Sequence, residues 1–293
     1  MRLRNLRFAC IVTALALAGV ACGKSSPPAS SGSTSPSATV PPTIKQGFLS
    51  VGSCIDYPPF ESVKNGEPVG FDVDMTDAIA AKIGFDKAHI KWVKANFNTI
   101  FTAVANGQFD MVAAAVTATG TLGAKRAQTV AFSNYYYDSR QSLSVNTAQT
   151  PNITSTDQLM AGDTVGAQKG STGLQWAIDN LQSKGVTIKT YTSSTDSFRD
   201  LSAGNITGVI NDESPSYAIV ATMNDVKVVE PIDTNEKYAF AFAPTATDLV
   251  TRWNEGLKQV IDDGEYAQIY AKYFPGTPVP PEYTPGGSSS PSA

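Results

Sequence analysis

The sequence predicts an α/β protein made of two lobes, each a mainly parallel sheet flanked by helices. Strand-like runs alternate with helical runs from about residue 44 to residue 274. The chain has 293 residues, of which 42% are hydrophobic and 16% are charged, so it is long enough for two lobes with separate cores. An internal repeat also places one similar unit in each half of this region.

The individual elements follow from apolar runs and the glycines that stop them. Strands are predicted at residues 49–52, 111–116, 164–168 and 186–191. Helices are predicted at residues 72–83, 99–106, 172–184, 247–262 and 265–273. The carboxylates of Asp72 and Asp74 are favourably placed at the positive N-terminal end of the first helix. Gly84 predicts where this helix stops.

The repeat aligns residues 101–112 with residues 198–209 without gaps. Each copy reads as a helix, a glycine cap and a strand. Ligands of open α/β sheets bind beyond the carboxyl ends of strands. The two strand ends therefore predict a cleft formed by Ala114, Ala115 and Thr117 in one lobe and by Asn211, Asp212 and Ser214 in the other.

The N-terminus has the pattern of a secretory signal. A segment with three arginines precedes an apolar run at residues 8–21 that is too short to span a membrane comfortably. We expect a signal peptide at residues 1–21, and therefore a mature protein that works outside the cytoplasm. The end of the run looks like a bacterial lipobox with Cys22 as the acylated residue, which would anchor the chain to the outer face of the cytoplasmic membrane. Gly19 replaces the usual branched residue of a lipobox, and ordinary cleavage after Ala21 would instead release a soluble form.

Low-complexity segments flank the predicted lobes. Residues 22–43 and residues 275–293 are rich in Ser, Pro, Thr and Gly and poor in charge and bulk. Such segments bury too little surface to order themselves. We expect a disordered tether before the lobes and a disordered tail after them.

The composition disfavours several classes of function. The net charge is −4 and the basic residues are scattered, which argues against a nucleic-acid partner. The single histidine, His89, and three cysteines, two of them in the leader, supply few ligands or nucleophiles. We expect no metal and no cofactor, and we expect His89 to be an ordinary strand or surface residue.

Four motifs in a fixed order resemble a known family. They are VGSCIDYPPFE at residues 51–61, GFDVD at 70–74, FSNYY at 132–136 and VGAQKGSTG at 165–173. From about Phe48 to Phe274 the chain resembles the bacterial extracytoplasmic solute-binding proteins of family 3, which supply polar amino acids to ABC transporters. The resemblance implies a type II periplasmic-binding-protein fold. Its first lobe would be residues 44–138 plus 238–274, its second lobe residues 142–235, and its hinge two crossings near residues 139–141 and 236–237.

The same resemblance implies a function. Lobe closure would capture a polar L-amino acid, and a monomeric, non-enzymatic protein would deliver it to the permease of an ABC transporter. One alternative on this fold is a lyase similar to cyclohexadienyl dehydratase, with Asp212 or Glu213 as a proton donor. Another is a sensor component whose closed form contacts a receptor.

The resemblance assigns the ligand carboxylate to Arg126, whose planar fork grips a carboxylate in a bidentate manner. Its position beside Lys125 also fits a plain surface charge, and residues 118–125 are longer and richer in glycine than is usual before this arginine. Thr117 would add a hydroxyl. Lys169, Ser171 and Thr172 lie where a strand turns into a helix, a place that suits an anion but fits a simple helix cap equally well.

The resemblance assigns the ligand ammonium to Asp212, with Glu213 as the alternative and the carbonyl of Ala114 as a second acceptor. Ala115 would lie beside them.

Tyr57 and Phe97 match the aromatic walls of the family, although both also fit ordinary core filling. Cys54 stands where many members that take cationic or amide ligands have an aspartate. A neutral thiol cannot balance a lysine or arginine side chain, which favours an uncharged polar or small ligand unless Glu61 or another acid supplies the charge.

Overall fold

The computed structural model describes residues 40–290. Its strands are β1 Leu49–Ser53, β2 Ser62–Lys64, β3 Glu67–Val69, β4 Ile90–Lys94, β5 Met111–Val112, β6 Ala131–Asn146, β7 Thr164–Gln168, β8 Thr187–Tyr191, β9 Gly208–Asp212 and β10 Val226–Phe242. Its helices are α1 Phe71–Lys82, α2 Phe97–Ala105, α3 Gly120–Arg126, α4 Thr172–Leu181, α5 Ser194–Ser202, α6 Glu213–Val220, α7 Thr247–Asp262 and α8 Glu265–Tyr273. None of these helices is long and apolar enough to cross a membrane. The predicted signal peptide, Cys22 and residues 22–39 of the predicted tether lie outside the described residues.

Eight strands form one sheet in the order β4-β1-β5-β10-β6-β9-β7-β8, and β2 pairs with β3 in a separate hairpin. At both ends of the sheet the pairs are parallel: β1 with β4 and β5, and β7 with β8 and β9. The centre is antiparallel, because the long strands β6 and β10 pair with each other and with their neighbours β9 and β5. The chain therefore has the predicted α/β fold of two mainly parallel lobes, joined by two long strands that run through both.

The strands β6 and β10 form the hinge between the lobes. Lys237 lies opposite Asp138, and Glu236 lies opposite Ser139. The register then shifts between Ile232 and Glu236, so residues 233–235 are outside the regular ladder. Asn235 in this segment has a left-handed backbone with φ of 48°. The regular ribbon thus becomes irregular at the place where the chain passes from one lobe to the other.

The hydrophobic cores are separate on the two sides of the hinge. The largest packs aromatic side chains such as Phe71, Tyr136 and Trp253 beneath α1, α7 and α8, and a second lies under α2. The third and fourth lie between residues 143 and 232, around Leu143 and around Phe198. The exact lobe limits, 44–138 plus 238–274 and 142–235, stay a prediction, and the lobes are called lobe 1 and lobe 2 in that order.

Several element predictions are confirmed to the residue, namely the strand at 164–168 and the helices at 247–262 and 265–273. The strand predicted at 111–116 is wrong beyond Val112. There Ala115 adopts a left-handed φ of 48°, and its N–H donates to the Asp72 carboxylate (2.9 Å) instead of to a neighbouring strand. The glycine-rich segment before Arg126 contains a helix, α3, that the sequence analysis missed.

The prediction of a disordered tail is wrong for residues 275–290. Tyr283 is 1% exposed, its ring lies 5.4 Å from that of Tyr266 in α8, and its hydroxyl donates to Asp138 (2.7 Å). The end of the predicted tether, residues 40–43, is also packed, because Val40 contacts the largest core and Pro41 is buried. In both segments a few apolar anchors order a stretch whose average composition indicates disorder.

Candidate ligand-binding site

A small cavity lies between the two lobes. Counted as space open to the centre of a water-sized sphere, it measures about 20 Å³, so the lobes are closely apposed around it. Lobe 1 lines it with Cys54, Asp56, Tyr57, Glu61, Phe97, Ala114, Ala115, Thr117 and Arg126, and lobe 2 lines it with Gln168, Ser171, Thr172 and Asp212. The wall is therefore built from strand ends and helix starts of both lobes.

The lobes contact each other around the cavity. The Tyr57 hydroxyl lies 2.9 Å from Asp212 Oδ2, and the Arg126 guanidinium donates to the Gly170 carbonyl (2.9 Å). At the cleft edge the Thr195 hydroxyl donates to the carbonyl of Asp56 (3.1 Å). These bonds describe a closed arrangement in which a small molecule would touch both lobes at once.

Arg126 ends α3 and is 6% exposed. Its guanidinium donates to the carbonyls of Thr117 (2.7 Å) and Gly170 (2.9 Å) and lies over the rings of Phe101 and Phe97. Burial lowers the pKa of Arg126 to about 10, against the opposing effect of Asp212. Within residues 40–290 no carboxylate lies at ion-pair distance from this guanidinium. A buried cation without an anionic partner is costly, and its remaining N–H groups suit a carboxylate.

Asp212 ends β9 and is buried in the same cavity. Its carboxylate accepts hydrogen bonds from the hydroxyls of Tyr57 (2.9 Å) and Tyr238 (2.5 Å) and from the amide of Gln141 (2.5 Å). Burial raises the pKa of Asp212 to about 6, and the charge of Glu236 acts in the same direction. A cation placed beside this group would favour its ionised form.

Glu213 follows Asp212 but does not line the cavity. Its carboxylate pairs with the Arg140 guanidinium (2.6 and 2.8 Å) in a groove at the hinge. Of the two acids left open by the sequence, the structure brings only Asp212 to the cavity.

The hydroxyls of Thr117 and Thr172 both donate to Glu236 Oε2, at 2.6 and 2.8 Å. Glu236 is buried at the hinge and also accepts from the amide of Gln141 (2.9 Å). A hydroxyl carries a single hydrogen, so neither threonine can donate to a ligand while it holds Glu236. The two residues line the cavity, but their hydroxyls belong to a hinge network that the sequence analysis did not foresee.

The turn before α4 has the geometry of a helix cap. The Ser171 hydroxyl accepts from the N–H of Leu174 (3.0 Å) and donates to the Gln168 carbonyl (2.8 Å). Because α4 begins at Thr172, its first N–H groups have no partner within the helix. The side chain of Lys169 is exposed and is not part of the cavity wall.

The remaining predicted wall residues of lobe 1 are buried. Tyr57, Phe97, Ala114 and Ala115 all lie at the cavity surface. The backbone there is held from below, because Asp72 in the first turn of α1 accepts the N–H of Ala115 and the hydroxyl of Tyr136 (2.7 Å). Burial raises the pKa of Asp72 to about 6.

The structure adds one prominent group that the sequence analysis named only as a compensating acid. Glu61 is 1% exposed, lines the cavity, and has no hydrogen-bond partner for either carboxyl oxygen among the described residues. Burial, followed by the charges of Asp72 and Asp56, raises its pKa well above the ordinary range. Its neighbour Cys54 is also buried, and burial raises the pKa of that thiol well above its usual value.

Asp56 and Gln168 were also missed as wall residues, as were Gln141, Glu236 and Tyr238 behind the wall. The only sequence feature that could have indicated Asp56 as a wall residue is its closeness to a second acid, Glu61, within one motif. His89 is half-buried, and its ring Nδ1 lies 2.6 Å from the Asp86 carboxylate in a short 3₁₀ turn rather than a strand. No cluster of three or more potential metal ligands occurs within residues 40–290.

A closed cleft between two α/β lobes, with a buried cation and a buried acid in one cavity, defines a solute-binding protein. The profile of the bacterial extracellular solute-binding proteins, family 3, matches residues 49–276. The chain belongs to that family.

Individual relatives agree with this assignment. A probable histidine-binding protein of Neisseria gonorrhoeae is 30% identical over 229 residues, which cover 76% of this chain and 82% of the relative. An ancestral arginine-binding protein solved with arginine is 30% identical and superposes with a TM-score of 0.69 over 78% of this chain and 99% of its own. An ancestral amino acid-binding protein described as a precursor of cyclohexadienyl dehydratase has the same identity and TM-score, and the match covers 78% of this chain and 96% of that protein.

Proposed function

We propose that this protein captures an L-amino acid outside the cytoplasm and that its closed form delivers the ligand to the permease of an ABC transporter. One observation carries the proposal: the buried guanidinium of Arg126 has no carboxylate partner within residues 40–290 and shares its cavity with Asp212. An α-carboxylate would complete the hydrogen bonding of Arg126, and an α-ammonium would neutralise Asp212.

This arrangement couples binding to closure. Arg126 belongs to lobe 1 and Asp212 to lobe 2, so a zwitterion reaches both partners only when the lobes are together. A ligand shifts an equilibrium between open and closed forms only through contacts that differ between them. The ligand would act as the link that stabilises the closed form.

The end of the cavity at Glu61 supports a ligand with a cationic or donor-rich side chain. Glu61 has two unpartnered carboxyl oxygens, and Asp56 adds a second acid to the same wall. A buried acid without partners is costly, and a guanidinium, imidazolium or ammonium would relieve that cost. The relatives named for arginine and histidine agree with this chemistry. This proposal replaces the expectation of an uncharged ligand that followed from Cys54.

Delivery requires the protein to remain near the membrane. A lipid anchor at Cys22 would hold it there, with residues 22–39 as the connecting segment, and a monomer suffices because both halves of the site come from one chain. Acylation is tested by mass spectrometry of the mature N-terminus, where an unmodified Ala21–Cys22 junction or a free Cys22 would exclude the anchor.

A lyase is the second candidate, since one similar protein is described as a precursor of a dehydratase. Asp212, with its pKa raised to about 6, is the one of the two proposed proton donors that lines the cavity. A dehydratase would convert prephenate or arogenate, whereas a binding protein would return its ligand unchanged. Chromatography of both compounds after incubation with the protein separates these candidates.

A thermal-shift screen against the common L-amino acids tests the proposed function directly. A ligand that binds only the folded state raises stability by mass action, so arginine, lysine, ornithine or histidine should produce the largest increase in melting temperature. The same screen on Arg126→Ala should show a much smaller increase at the same ligand concentration. If no amino acid stabilises the parent, or if the variant is stabilised equally, the proposed function is wrong.

A further inference from the structure

The residues that follow the family region form an ordered segment on lobe 1. The family match ends at residue 276, and residues 277–290 continue beyond it as a segment that we call the C-terminal strap. The ring of Tyr283 packs on Tyr266 in α8, and the carbonyl of Ser289 accepts the N–H of Tyr135 (2.9 Å) at the edge of β6. The strap is therefore an addition to the shared fold, and it is packed rather than loose.

The strap makes its polar contacts at the hinge. The Tyr283 hydroxyl donates to Asp138 Oδ1 (2.7 Å), and Glu282 Oε1 accepts from the Lys237 ammonium (2.9 Å). Lys237 also donates to Asp138 Oδ1 (2.6 Å). Asp138 in β6 and Lys237 in β10 lie directly opposite each other in the ladder. The strap thus joins both hinge strands to lobe 1 through a single cluster of hydrogen bonds and charges.

The position of this cluster along the hinge is specific. It lies at the last regular pairs of lobe 1, next to the Glu236–Ser139 pair and the irregular residues 233–235. Beyond it, toward lobe 2, the chain has the left-handed Asn235 and a shifted register. The strap contacts the middle of three consecutive regular pairs, those of residues 236–238 with residues 137–139, and the register shifts on both sides of this run.

We propose that the C-terminal strap is a clamp that fixes the lobe 1 end of both hinge strands and thereby slows lobe opening and ligand release. With the clamp, lobe rotation must be absorbed by residues 139–141 and 233–236 alone. Without it, the rotation spreads into residues 137–138 and 237–238, and each residue changes its backbone angles less. The strap therefore sets the rate of opening, and this inference rests on the proposed function.

The strap acts without touching the ligand. None of its residues lines the interlobe cavity, so it has no means of distinguishing one amino acid from another. Its removal should change the rates of binding and release for all ligands alike and leave their ranking unchanged. This separates the clamp from any role in recognition.

The test compares the double variant Glu282→Gln plus Tyr283→Phe with the parent. This change removes the Tyr283 hydrogen bond to Asp138 and the negative charge that Glu282 presents to Lys237, and it keeps the aromatic ring that packs on Tyr266. The matched control is Thr284→Ala, because the Thr284 hydroxyl bonds only to Pro281 within the strap. Stopped-flow displacement should show ligand dissociation about three- to tenfold faster in the double variant, the scale set by weakening a partly exposed ion pair, and parent rates in the control.

Hydrogen exchange provides a readout that needs no ligand. The amides of residues 137–141 and 236–238 should exchange faster in the double variant than in the parent and the control. If the double variant exchanges its amides and releases its ligand at the same rates as the parent, the clamp is refuted. If the double variant does not fold, the same two measurements are made on each single variant, Glu282→Gln and Tyr283→Phe, and are interpreted in the same way. A parent that binds no amino acid refutes the proposed function, whereas a parent that binds normally beside unaffected variants refutes the clamp alone.

Discussion

The two copies of the internal repeat have the same fold up to the strand, and they differ at the end of that strand, next to the cavity. Each has a helix, a glycine with left-handed φ (Gly107 at 70° and Gly204 at 75°) and a strand. After Val112 the first strand stops, and the chain turns at Ala115 into a loop held by Asp72. The second strand continues to Asp212, which places a carboxylate at the equivalent strand end of the other lobe, facing the end of the first. The shared helix, glycine and strand form the walls of the cleft, and the two copies differ in what stands at the strand end: a loop toward α3 in lobe 1 and the Asp212 carboxylate in lobe 2.

Of the two groups proposed to hold the ligand's carboxylate and ammonium, lobe 1 supplies Arg126 and lobe 2 supplies Asp212. The cation comes from α3, the short helix that the loop after β5 leads into. The anion directly precedes α6. In the proposed function a ligand reaches both groups only in the closed form, and the variants below test each of the two groups.

The largest effect is expected for Arg126→Ala. A hydrogen bond to a charged group contributes about 1.5–3 kcal/mol, and a bidentate grip has two, so affinity should fall by at least about 100-fold. The melting temperature of the ligand-free variant should be close to that of the parent, because an unpaired buried cation adds little stability. Calorimetry measures the loss, and Lys125→Ala at the exposed neighbouring position is the control. Equal affinity in both variants would remove Arg126 from the site.

The counterpart in lobe 2 is Asp212→Asn. One charged contact to the α-ammonium is lost, so affinity should fall by about ten- to 100-fold. An analogue without the α-ammonium should bind the parent and the variant alike. The control is Glu213→Gln, which disturbs the Arg140 pair outside the cavity and should keep parent affinity. A larger loss for Glu213→Gln than for Asp212→Asn would reverse the assignment.

Glu61→Gln tests the side-chain end of lobe 1. Removing the acid should weaken a cationic ligand by about tenfold, while glutamine should bind nearly as before. Competition binding measures the ratio of the affinities for arginine and glutamine in the parent and the variant. Glu67→Gln on the exposed hairpin is the control. An unchanged affinity ratio would contradict a cationic ligand and would favour the uncharged polar or small ligand expected from Cys54.

The smallest effect concerns pH. Burial raises the pKa of Asp72 and of Asp212 to about 6. A carboxyl group with a raised folded pKa stabilises the fold below its unfolded value, about 4, and loses that stabilisation as pH rises through its folded value. The melting temperature of the ligand-free protein should therefore fall between about pH 4 and pH 7. Asp72→Asn should make the melting temperature less dependent on pH. A parent whose melting temperature is higher at pH 7 than at pH 4 would contradict the prediction.

Local patterns were predictable from the sequence, and long-range ones were not. Gapless repetition and glycine stops located both copies of the repeat, and apolar spacing located α7 and α8. The choice between Asp212 and Glu213 stayed open because it depends on which of two consecutive residues points into the cleft. The bond from Thr117 to Glu236 joins residues 119 positions apart, and no local pattern indicates it. Tyr283 was missed because one buried aromatic ring outweighs the composition of the segment around it.

The central claim is that Arg126 binds the ligand carboxylate, and a cycle of four calorimetric titrations tests it most directly. The amino acid ranked first by thermal shift and the amine that lacks its carboxylate are each titrated into the parent and into Arg126→Ala. We expect the parent to prefer the amino acid by at least about 100-fold and the variant to bind both compounds with nearly equal, weak affinity. A variant that keeps the full preference for the amino acid would show that the carboxylate is held elsewhere.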